Sequence, residues 1–139
     1  MKLKSLIMIA VLGLASQAQA GPYADELKKC LVESSSPKDL TLLVRWIAKA
    51  INAHPHLSDI SNLSERKKAE IDQQLARYFE RVLFQDCSAP ARDLIKYENA
   101  DGMRVAFEFL GQVAMKQVME DPKVTQSVSD FSKYFNPLR

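Results

Sequence analysis

Apolar residues in this chain recur at helical spacing and rarely alternate with polar ones. Leu27, Cys30 and Leu31 share one face, which predicts a first helix from Tyr23 to Ser34. Ser34-Ser35-Ser36 ends it. Ser36-Pro37-Lys38-Asp39 then predicts a restart. Ser36 can accept orphan N–H groups, Pro37 suits the first helical position, and Asp39 favours the positive end of the helix dipole.

The second helix is expected from Pro37 to about Ala53. Leu40, Leu43, Val44, Ile47 and Ile51 form its main apolar face, and Leu42, Trp46, Ala50 and Ala53 widen it on one flank. His54-Pro55 stops it, because the residue before proline is pushed out of the helical region. A polar loop follows from His56 to Leu63. Ser64 is read as the cap of a third helix reaching about Asp86, with Ile71, Leu75, Tyr78, Phe79 and Val82 inward and Arg77, Glu80 and Arg81 outward.

A short helix is expected after Ser88-Ala89-Pro90, through Leu94, Ile95 and Tyr97. The next runs to about Glu120, with Met103, Phe107, Leu110, Ala114 and Val118 on one face. Asp101-Gly102 is read as a kink or break, and Gly111 as a point of close helix approach. Asp121-Pro122 starts a last helix, where Val124, Val128, Phe131 and Phe135 keep the same spacing. The fold class is therefore all-α, a compact bundle of about six helices.

The N-terminus changes how composition is read. Met1-Lys2-Leu3-Lys4 is basic, Ser5 to Ala15 is a short apolar run, and Ala18-Gln19-Ala20 is a small-x-small cleavage site. That layout predicts a signal peptide over 1–20 and a single exported domain over 21–139. The run falls short of the roughly 20 residues of a membrane anchor. Removing residues 1–20 from the 139 leaves 119, enough for one core. Of 19 Lys+Arg and 17 Asp+Glu, Lys2 and Lys4 leave with the signal, so the mature chain carries 17 of each. Formal neutrality argues against nucleic acid as a partner.

Two cysteines remain, Cys30 and Cys87. In an exported chain they predict one disulfide. On the chain-entropy model a loop of this length stabilises by about 4 kcal/mol, less any strain.

Candidate chemistry is sparse. His54-Pro55-His56, with Asp59 close by, is the one weak metal candidate. A closed zinc site needs four ligands, and no second His/Cys cluster follows, so no tight metal site and no cofactor are expected. The chain has no Gly-x-Ser-x-Gly elbow and no Gly-rich phosphate loop. Asp25/Glu26, Glu65 with Glu70, and Glu98/Asp101 are read as exposed helix charges rather than acid–base pairs, so no catalytic residue is assigned. Trp46 is expected in the core, with a partner groove as the alternative. Met115 and Met119 lie off the main stripe and are expected in the core or at the bundle edge, with an adaptable contact surface as the alternative.

Cys30-Leu31, Ser36, Asp39, Leu43-Val44-Arg45-Trp46-Ile47 and His54-Pro55, with Phe109-Leu110-Gly111-Gln112-Val113-Ala114-Met115 and Met119, resemble a family of small exported bacterial proteins of unknown function. The resemblance implies export, a helical fold and paired cysteines, and supplies no catalytic residues. The expected function is that of a non-enzymatic periplasmic or secreted protein acting through protein–protein contacts with another exported or envelope protein. An immunity or inhibitor protein and an envelope adaptor both fit. The alternative is a small-molecule or metal carrier, using an inter-helix apolar pocket or the His54/His56 loop.

Overall fold

A computed structural model describes residues 21–135, so the predicted signal segment lies outside the described residues. The described chain is all-α: α1 (Pro22–Glu33), α2 (Pro37–Asn52), α3 (Glu65–Arg81), α4 (Ser88–Tyr97), α5 (Ala100–Met119) and α6 (Pro122–Asp130). Short 3-10 turns follow α2 at Pro55–Leu57 and α6 at Phe131–Tyr134. No strand occurs among the described residues.

The predicted starts are present as capping geometry. The Ser36 hydroxyl accepts the Asp39 N–H at 3.1 Å, and the Asp39 carboxylate accepts the Ser36 N–H at 2.9 Å. This reciprocal box satisfies two donors that the first turn leaves orphaned. Ser64 caps α3 through the Lys67 N–H, and Asn99 caps α5 through the Asp101 N–H. Asp101-Gly102 therefore lies inside the first turn of α5 and is not a break.

The bundle is organised around α5, which packs against both α1 and α2. α4 closes on α1 and α5, and α3 packs against α2. The buried row of α5 is Gly102, Ala106, Leu110 and Ala114, which differs from the larger stripe expected. Met103, Phe107 and Val118 are only partly buried. Small residues one turn apart let two neighbours approach the same helix. A Cβ on Gly102 would stand 3.1 Å from Leu94 Cδ1, whereas Gly111 has nothing within 4 Å of that position. Close approach thus occurs at Gly102 and not at Gly111.

α3 and its continuation depart from the expected uninterrupted helix to Asp86. Val82–Asp86 form a π turn, closed by the Cys87 N–H on the Val82 carbonyl at 2.7 Å. Val82 and Cys87, five residues apart, are both fully buried. An α-helix would have carried Asp86 inward after Val82. The wider turn instead leaves Asp86 outside and brings Cys87 in. Cys87 is bonded to Cys30 on α1, with Cα atoms 5.8 Å apart.

Arg81 was expected to face out. Its guanidinium instead joins three segments: Asp39 Oδ2 at 2.7 Å, Asp86 Oδ2 at 2.8 Å and the Ser34 carbonyl at 3.4 Å. The Ser35 hydroxyl bonds the Tyr78 hydroxyl at 2.5 Å and donates to the Leu31 carbonyl. The serine run therefore ends α1 and also ties the α1–α2 turn to the end of α3. Burial raises the Tyr78 phenol above its ordinary value, against the lowering hydrogen bond from Ser35. Burial also acts to raise the Asp39 carboxyl. The Ser36 N–H, the Ser36 hydroxyl and Arg81 outweigh it and hold Asp39 below its ordinary 3.8.

Cys87→Ala is expected to lower stability by roughly 2–5 kcal/mol, measured by urea unfolding of the oxidised chain, because the long loop is then open in the unfolded state. A second expectation concerns acid. Asp39 is depressed in the folded state, so its contribution is complete above pH 3.8 and is lost as pH falls below that value toward its folded pKa. Asp39→Asn should reduce stability at neutral pH and give a shallower acid limb than the native chain in melting curves taken at successive pH values.

Candidate functional site

The histidine pair sits where the sequence placed it, just after α2, and both rings are exposed. His54 Nδ1 accepts the His56 N–H at 3.3 Å, and the ring centroids are 5.5 Å apart. His54 acts as the cap of the Pro55–Leu57 turn through its Nδ1. Among the described residues no group of three His, Cys, Asp or Glu side chains is placed to hold a metal ion.

The acidic pairs are distributed over helix surfaces. Glu65 pairs with Lys68 at 2.7 Å, Glu70 with Lys67 at 2.9 Å, and Asp101 with Arg104 at 2.9 Å. Each partner lies within its own helix, so the ion pair holds the carboxyl of Glu65 and of Glu70 below its ordinary value. Glu98 has a different role. It accepts the Tyr23 N–H at 2.9 Å at the start of α1, a charge-assisted bond at a helix N-terminus. A Cβ on Gly21 would fall 2.1 Å from Glu98 Oε1, so the residue after the predicted cleavage site has no room for a side chain unless Glu98 moves.

Trp46 is corrected from core to surface. It is 37% exposed, while Leu40 and Leu43 take the buried face of α2. Ile51, expected on that buried face, is 57% exposed. Met115 and Met119 are exposed. Phe109 is exposed too, with the Lys28 ammonium over its ring at 5.5 Å.

The largest departure is at the C-terminal end. α6 buries no residue, and neither does the 3-10 turn after it. Val128, Phe131, Tyr134 and Phe135 are exposed, at 61% to 87%. The Phe131 and Phe135 rings are nearly parallel, with centroids 6.5 Å apart. The spacing predicted an inward face, and it produced an aromatic ridge on an arm that packs on the end of α5. Comparison with protein-family models, characterised proteins and solved structures finds no match to this chain. Sequence carried one sign of the ridge: α6 has nine residues, and the only large apolar ones are Val124 and Val128, too small a face to anchor the aromatics behind it.

If Trp46 is at the surface, Trp46→Ala should cost about 1–2 kcal/mol in thermal unfolding, below the roughly 3–5 kcal/mol of a core aromatic. Its native emission should be red-shifted and readily quenched by iodide. A blue-shifted, protected emission would return it to the core.

Proposed function

We propose that the mature chain is a non-enzymatic exported protein that works by binding another exported or envelope protein, and that the C-terminal ridge is its contact surface. The observation that carries this reading is the ridge itself. Three aromatic side chains and Val128 stand in water on one short arm, at an energetic disadvantage that partner contact would remove. Aromatic residues are enriched in the buried centres of protein interfaces. Lys123, Asp130 and Lys133 surround them with charge, the polar rim such surfaces have. Export is supported by the Ala18-Gln19-Ala20 pattern, the disulfide and the resemblance to small exported bacterial proteins. No helix among the described residues is long and apolar enough to cross a membrane.

The test is site-specific photo-crosslinking in the native host, with a benzophenone side chain at Phe131 and a control at exposed Phe84 on the π turn. The expected result is one discrete adduct with an envelope or exported protein from Phe131 and none from Phe84. Phe135→Ser should abolish it without changing the melting temperature, because Phe135 packs in no core. The crosslinked chain should begin at Gly21 by intact mass. A chain that keeps residues 1–20 in the cytoplasm overturns the export reading, and an adduct unaffected by Phe135→Ser overturns the ridge.

A further inference from the structure

A groove with a volume of about 640 Å³ opens between the C-terminal half of α2, the connection after it and the first turns of α3. Its apolar wall includes Ile51, Leu57 and Ile60, and its cations are Arg45, Lys49 and Lys67. No acidic side chain lines it. The volume falls in the range of small-molecule sites. The outer wall is held in place, since Asn52 Nδ2 donates to the Leu57 carbonyl at 2.9 Å across the connection. Ile51 and Ile60 are 57% and 74% exposed, so their apolar surface is left uncovered by the fold itself.

Charge narrows the occupant. Lys49 is paired with Asp72 at 2.5 Å and Lys67 with Glu70 at 2.9 Å, both acids lying outside the lining. Arg45 forms none of the ion pairs among the described residues; its charge reaches Glu70, whose carboxylate is bonded to Lys67 instead. A guanidinium with no carboxylate bonded to it, beside an apolar trough, matches a ligand with one negative charge and an aliphatic tail. A guanidinium fork suits a carboxylate, which it can hold through two parallel hydrogen bonds. A doubly charged phosphate would need a second free cation. We propose that this groove binds one long-chain alkyl carboxylate, its head on Arg45 and its tail along Ile51, Leu57 and Ile60. The site is separate from the C-terminal ridge and does not depend on it.

Titration calorimetry of the oxidised mature chain with dodecanoate, below its micellar concentration, tests this. The expected result is saturable one-to-one binding. Decanoate should bind about tenfold more weakly, since each buried methylene contributes about the same increment. Arg45→Gln should weaken dodecanoate by about tenfold or more, and Ile60→Asp should abolish binding. Arg45 and Ile60 are both exposed, so each variant should melt with the native chain. Dodecyltrimethylammonium, with the same tail and the opposite charge, should not bind. Equal binding of that cation, unsaturable uptake, or dodecanoate affinity unchanged in Arg45→Gln would overturn the proposal. So would a benzophenone at Ile60 crosslinking the partner protein, because the groove would then belong to the protein interface.

Discussion

The Cys30–Cys87 bond fixes where the two halves of this domain meet. It ties the end of α1 to the junction of α3 and α4, and α4 in turn packs on α1 and α5. Around it stand Ser34, whose hydroxyl is 3.6 Å from Cys87 Sγ, and the Arg81 guanidinium on Asp39 and Asp86. The bond alone restricts the unfolded chain. The polar contacts around it set the direction in which α2 leaves the turn. The π turn serves the same junction, because only the added residue lets Val82 and Cys87 share the buried face.

α5 is the second organising element, and its small residues matter more than its large ones. Gly102 leaves room for Leu94 of α4, and Ala106 and Ala114 are fully buried on the helix that α1 and α2 both pack against. Larger side chains in that row would push one neighbour away, at the cost of overpacking. The phenylalanines and methionines are displaced to the flanks. Phe107 finds Phe79 at 4.6 Å between ring centroids, while Phe109, Met115 and Met119 stay exposed.

Both proposed binding surfaces lie where coverage ends. α2 and the start of α3 leave a groove open at Ile51, and α6 departs from the end of α5 with its apolar residues uncovered. The first is a cationic groove and the second an aromatic ridge. They differ in shape and charge, which suits them to different occupants: a concave site with a free guanidinium for a small amphiphile, and a convex arm for a protein.

Helix positions were legible in the sequence because their causes are local. Ser36-Pro37-Lys38-Asp39, Ser64 and Asp121-Pro122 cap or start helices through contacts within one turn, and the structure has helices at each. The cysteine pairing followed from there being only two. Four things were decided by tertiary structure: the π turn, the bonds of Arg81 to Asp39 and Asp86, the exposure of Trp46 and the uncovered α6 face. Periodicity says that a helix has an apolar side. Whether another element covers that side depends on where the chain goes next, and Arg45 meets Lys67 at one groove only because α2 and α3 pack together. The sequence by itself determined the helices, their caps and the staple between them. Tertiary packing determined which apolar faces became core and which stayed exposed, because burial is a property of neighbours distant along the chain.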